Sequence, residues 1–149
     1  MEEKIQTFLD LNVWKKAHQL VLNIYKITAD FPPHETHTLT DQLKRSSSAV
    51  ASAISEGFQK RNKQDKTRLY NDAQSALNDV YYLLILTRDL KYSDTTILLE
   101  NAHEIQKMIS GLVRSVSGLS RPAGFRSPDA PEEKSYGGYV PDADENELM

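Results

Sequence analysis

From His34 to Arg121 the chain contains no proline, and within that stretch apolar residues recur three and four positions apart. Proline removes an amide donor and interrupts a helix, so a long proline-free segment with this spacing predicts long amphipathic helices rather than strands. The punctuation that does occur divides the chain into four such segments. A first helix is expected from about Leu11 to Asp30, with Asp10 as N-cap, Leu9 packing on Trp14 as a hydrophobic staple, and a core stripe of Trp14, Ala17, Val21, Ile24 and Thr28. "FPP" at 31–33 ends it. A second helix begins between Pro33 and Thr38 and reaches Phe58 on Leu39, Leu43, Val50 and Ile54, and Gly57 either ends it or permits a close contact. A third runs from about Asp65 to Leu90 on Leu69, Ala73, Leu77, Val80, Leu84 and Thr87. After the turn "KYSD", with Ser93 or Asp94 as cap, a fourth continues to about Ser117 on Ile97 or Leu98, Ala102, Ile105, Ile109, Leu112 and Val116. Four amphipathic helices with short connections imply an all-α, antiparallel up-down four-helix bundle.

The second helix holds an unusual segment, "SSSAVASAIS" at 46–55. At about 100° per residue, Leu43, Ser47, Val50, Ile54 and Phe58 gather on one face, which a flexible serine linker would have no reason to maintain. Small residues occupy both flanks, Ser48, Ala51, Ser52 and Ser55 on one side and Ser46, Ala49 and Ala53 on the other. They suit close approach by neighbouring helices or by another subunit. Arg45 and Glu56 share the back of this helix, but eleven residues, about 16 Å of axis, separate them. They therefore require other partners: water, another helix or another subunit. The third helix carries a parallel polar stripe of Arg68, Asp72, Ser75, Asp79 and Tyr82, in which an Arg68–Asp72 pair is expected. Ser48, Ser52, Arg45, Glu56, Gly57 and Asp79 are accordingly the candidates for structural polar contacts or an oligomer interface.

Charge is distributed unevenly. Residues 1–117 carry 15 Lys+Arg against 14 Asp+Glu, whereas residues 118–149 carry 3 against 7, together with four of the six prolines and four of the six glycines. The expected organisation is a bundle at 1–117 and a disordered acidic tail at 118–149, in which Tyr136 and Tyr139 could anchor a docking peptide. Within the bundle, Lys44, Arg45, Lys60, Arg61, Lys63, Lys66 and Arg68 face only Glu56 and Asp65, a local net charge of +5. That concentration makes 44–68 the candidate nucleic-acid-binding region.

Other chemistry has little support in the residues. Cysteine is absent, which excludes disulfides and thiolate metal sites and suits a cytoplasmic protein. The longest apolar run, Val80–Leu86, is far short of the roughly 20 residues that span a bilayer, so no membrane role is expected. The histidines of "HETH" at 34–37 are three apart beside a proline pair, not four apart on a helix as a zincin requires. No phosphate loop, nucleophile elbow or carboxylate pair is present, so no enzyme, metal or cofactor is expected.

Three segments resemble the bacterial 23S rRNA intervening-sequence proteins and the related accessory variability determinant proteins of diversity-generating retroelements. They are "FLDLNVWKKAHQLVLNIYKITADFP" (8–32), "LTDQLKRSSSAVASAISEGFQKR" (39–61) and "YNDAQSALNDVYYLLILTRDLKY" (70–92). Asp10, Leu11, Val13, Trp14 and Ala17 match the first-helix motif, and Gln42, Arg45, Glu56 and Gly57 match the two ends of the second. Asp79 stands where glutamate is usual, and Ala53, Ser55 and Ala76 replace the usual asparagine, alanine and serine. The resemblance implies a four-helix bundle assembled as a homopentamer. Its retroelement branch implies nucleic acid and a reverse transcriptase as partners, although those relatives are strongly basic and this chain is not. The functional expectation is a non-enzymatic oligomeric scaffold that binds RNA or a nucleic-acid-handling protein through 44–68. A protein-protein adaptor that uses the ring surface or the tail is the alternative.

Overall fold

The computed structural model describes residues 4–118. Four helices account for most of them, α1 (Asn12–Thr28), α2 (Leu39–Gln59), α3 (Lys63–Asp89) and α4 (Thr96–Ser117), and no strand occurs among the described residues. Each helix packs on its neighbours in the chain, α4 returns against α1, and the backbones of the diagonal pairs α1/α3 and α2/α4 stay apart. This is the contact pattern of the expected up-down bundle. The acidic tail expected at 118–149 lies outside the described residues apart from Gly118, as do Tyr136 and Tyr139.

The core follows the apolar periodicity closely in three helices. Leu43, Val50 and Ile54 of α2, Ala73, Val80 and Leu84 of α3, and Ile105 and Ile109 of α4 are fully buried, while Leu98 is buried and Ile97 is exposed. Hydroxyl groups that enter this interior find carbonyl acceptors. Thr28 donates to Ile24, Thr87 to Leu83, Ser47 to Lys44, and Thr95 to Leu84 across the α3–α4 turn. Satisfied in this way, a buried hydroxyl carries little desolvation penalty.

The entry to α1 differs from the sequence expectation. Asp10 does not cap α1: it closes a single 3₁₀ turn, Phe8–Asp10, by accepting the N–H groups of Gln6 and Thr7, which hold its carboxyl below the usual range. The cap position of α1 falls to Leu11, which supplies no side-chain bond. The staple also changes, because the turn rotates Leu9 outward and sets the Phe8 ring edge-on to Trp14 at 5.1 Å. The buried stripe of α1 is Val13, Ala17, Leu20, Ile24 and Thr28, with Trp14 and Val21 half-buried at its margin. Val13, Ala17, Leu20, Ile24 and Thr28 keep the three-four spacing of a core stripe, so the difference is a rotation of the face away from Trp14 and Val21.

At one end of the bundle a carboxylate ties the two helix-helix connections together. After Phe31 a 3₁₀ turn at Pro33–Glu35 leads to α2, and Glu35 accepts hydrogen bonds from the Thr38 hydroxyl and the Leu39 N–H at the helix start. Its other oxygen accepts the Tyr92 hydroxyl at 2.8 Å, and the Tyr92 ring packs on Phe31 at 5.3 Å. Tyr92 is delivered there by the α3 terminus, where Lys91 takes a left-handed φ of 64° and the Tyr92 N–H returns to the Thr87 carbonyl. The hydrogen bonds from Thr38 and Tyr92 lower the Glu35 pKa, and Glu35 in turn raises that of Tyr92.

The helix pair with the most extensive contact is α2–α3. Gly57 sits at a close approach of the two helices: a Cβ built there would lie 2.6 Å from Cε1 of Tyr70 and 3.3 Å from the Leu69 Cβ. Glycine is therefore required for packing, and α2 continues past it to Gln59.

Two outcomes are expected. Gly57→Ala loses about 1–3 kcal/mol by overpacking, although the same change in an open helix would gain about 1 kcal/mol in propensity; urea unfolding measures it, and a stabilised variant contradicts the close approach. Glu35 has a folded pKa below its unfolded value, so its stabilising contribution is present above the unfolded pKa and disappears as pH falls through the folded one. Glu35→Gln should thus lower the unfolding midpoint at neutral pH and lessen its fall between about pH 5 and 3.

Candidate nucleic-acid interface

The basic region at 44–68 is divided by the helices that carry it. Lys44 and Arg45 lie in the second turn of α2, about 22 Å of helix axis before Lys60. Arg45 pairs within its own helix, with Asp41 at 2.8 Å. Lys44 Nζ lies 4.7 Å from the ring centre of Tyr25 on α1. Neither residue belongs to one patch with the basic residues of the α2–α3 connection.

That connection is short. Lys60 caps α2 in an extended conformation, Asn62 caps α3 by accepting the Asp65 N–H at 2.7 Å, and Arg61 stands between them. The Asn62 amide also donates to the Asp65 carboxylate, so the turn is closed by its own residues. Lys60, Arg61 and Lys63 are exposed, and none makes an ion pair or side-chain hydrogen bond among the described residues. They converge at one end of the bundle as three uncompensated cations.

Lys66 and Arg68 are occupied differently. Lys66 reaches back over the connection and donates to the carbonyls of Gly57 at 3.1 Å and Phe58 at 2.8 Å, with the Phe58 ring 5.4 Å away. Those carbonyls belong to the last turn of α2, where a cation satisfies orphan acceptors and matches the helix dipole. Arg68 pairs with Asp65 at 3.6 Å and not with Asp72 as expected, because Asp65 is already presented on the first turn by Asn62.

The polar positions considered for an interface separate in a similar way. Gly57 is buried inside the protomer against Tyr70. Ser48 returns its hydroxyl to the carbonyls of Lys44 and Arg45, and the Ser52 carbonyl accepts the Ser55 hydroxyl. Ser48, Ser52, Glu56 and Asp79 face outward, and Glu56 and Asp79 have no ion-pair or hydrogen-bond partner among the described residues. The whole α3 stripe from Arg68 to Tyr82 is exposed. In "HETH", the glutamate is the helix tie described above, His34 lies 3.4 Å from the Tyr92 hydroxyl, and His37 is exposed. No group of three potential metal ligands gathers among the described residues. No described helix is long and apolar enough to cross a membrane.

Sequence reading overlooked one arrangement. The Trp14 and His18 rings stack at 5.0 Å, nearly parallel at 7°, with Phe8 edge-on behind the indole. The spacing of four along one helix was the available signal.

Stability separates the two kinds of lysine. Lys66→Ala is expected to lower the unfolding free energy by about 1–2 kcal/mol, since it frees two carbonyls from a charged donor. Lys60→Ala, Arg61→Ala and Lys63→Ala should each stay within about 0.5 kcal/mol. Chemical denaturation of the four variants checks this, and an equal loss in all of them contradicts the division.

Comparison with known proteins agrees with this architecture. A solved structure of a protein of unknown function from the S23 ribosomal protein family of Bacteroides thetaiotaomicron superposes with a TM-score of 0.62 at 20% identity. The match covers 68% of this chain and 98% of that one, and it supports the fold alone. No curated protein matches the chain. Residues 9–111 match the description "23S rRNA-intervening sequence protein", which takes in all of α1, α2 and α3 and most of α4. On that match, the chain belongs to the 23S rRNA-intervening sequence protein family.

Proposed function

We propose that the protein is a non-enzymatic, oligomeric helical scaffold that binds RNA through the cations of its α2–α3 connection. One observation carries the reading: Lys60, Arg61 and Lys63 are exposed together at a bundle end, and no acid among the described residues compensates them. Cations held free on a rigid turn neutralise phosphates and release counterions with little ordering penalty. Lys44 and Arg45 act as secondary contacts farther along α2, and Lys66 supports the turn from beneath.

A single protomer offers few phosphate contacts, so affinity requires repetition. Assembly as a homopentamer, which the family resemblance implies, would present the same three cations five times in fixed geometry. Tyr82 and Ile97 support self-association, being 59% and 64% exposed on α3 and α4 despite their size. The unpaired Glu56 and Asp79 supply polar groups at which a second copy could be recognised.

Titration of the full chain with structured RNA at about 50 and 200 mM salt tests the binding reading, with a steep loss of affinity expected as salt rises. Changing Lys60, Arg61 and Lys63 together to alanine should weaken binding and flatten the salt dependence. Absence of binding at low salt, or indifference to the triple change, overturns the proposal. Sedimentation equilibrium tests the assembly, with a mass near five times the 16.9 kDa chain expected; a monomer removes that half of it.

A further inference from the structure

We infer that the exposed face of His18, stacked on Trp14, is a platform for an unpaired nucleobase. This rests on the RNA reading above and specifies its ligand as single-stranded nucleic acid. The contact between Lys44 and Tyr25 marks, to within the length of the lysine side chain, where the antiparallel helices α1 and α2 run side by side. Counting eleven residues back along α1 and eleven forward along α2 brings Trp14 level with Ser55. Lys60 then lies five residues, roughly 8 Å, farther toward the bundle end. The 3₁₀ turn that carries Phe8 packs on α2, consistent with that register. The aromatic pair and the three free cations therefore occupy the same end of the molecule.

The local chemistry suits a base better than it suits a core. Phe8 and the bundle interior support the indole, so Trp14 is held from behind and its ring plane is fixed. The imidazole covers the indole in parallel and is itself exposed, with no hydrogen bond or ion pair among the described residues. Lys15, three residues before His18 and so its neighbour on the helix surface, is also exposed. A pre-ordered stack that ends in an open aromatic face, flanked by cations, is the arrangement by which proteins hold single strands without reading their sequence. A duplex keeps its bases inside its own stack and would meet only the cations.

Trp14 is the sole tryptophan, so its fluorescence reports on this place alone. The full-length protein would be titrated with a single-stranded oligoadenylate of roughly a dozen nucleotides and with a duplex of equal length. Quenching of Trp14 by the single strand is expected. His18→Ala should weaken the single strand about tenfold, within the range for loss of one stacking aromatic. It should leave duplex binding unchanged, and His18→Phe should restore single-strand affinity. Single-strand affinity that survives His18→Ala while the Lys60/Arg61/Lys63 variant loses binding would falsify the platform and leave the RNA reading standing. No binding of either nucleic acid by the unaltered protein removes both.

Discussion

The molecule is organised around the close approach of α2 and α3 at Gly57. With a Cβ position only 2.6 Å from the Tyr70 ring, no other residue fits without displacing that ring or its helix. The contact lies two residues before the end of α2, and only Lys60, Arg61 and Asn62 make the reversal into α3. So short a connection has little freedom. Its two free cations stand on a backbone defined by the α2 terminus on one side and the Asn62 cap on the other, and Lys63 opens the next helix.

This arrangement creates an electrostatic conflict that the structure resolves locally. Lysines in the first turn of α3 sit at the positive end of its dipole, where an acid would be favoured. Lys66 escapes by leaning across the turn to the carbonyl end of α2, where its charge is favourable. Asp65 restores the acid at the start of α3 and binds Arg68. Lys63 keeps the conflict, and Lys60 and Arg61 stand beside it. Charge left uncompensated at a short turn closed by its own hydrogen bonds is the physical basis of the proposal that this end meets a polyanion. The opposite end is closed by Glu35, which bonds both to the start of α2 and to Tyr92, and its connections are correspondingly well satisfied.

Much of the fold was legible because long helices repeat their signal. The buried positions expected for α3, Leu69, Ala73, Leu77, Val80, Leu84 and Thr87, are all buried, and those of α2 follow the same rule. The errors fall where a signal is given once. Asp10 has the composition of a helix cap, but a competing turn one step earlier takes its hydrogen-bonding capacity. Arg68 has acids at both three and four positions, and which one it meets depends on how Asn62 orients Asp65. Leu20 and Val13 were missed because α1 carries apolar residues on two adjoining stripes, and Trp14 and Val21 of the expected one lie at the margin of the buried face.

The sequence by itself determined that this chain makes four helices, where they end, and that positive charge concentrates between Lys44 and Arg68, because periodicity, proline placement and charge are properties of a line. Tertiary structure decided which of those charges are free. It placed Lys44 on Tyr25 and Lys66 on the end of α2, whereas Arg45 and Arg68 are taken up within a turn of their own helices by Asp41 and Asp65, and Lys60, Arg61 and Lys63 remain without partners among the described residues. A side chain's availability depends on which acceptors come within a few ångströms, and distances between residues remote in sequence exist only once the helices have packed.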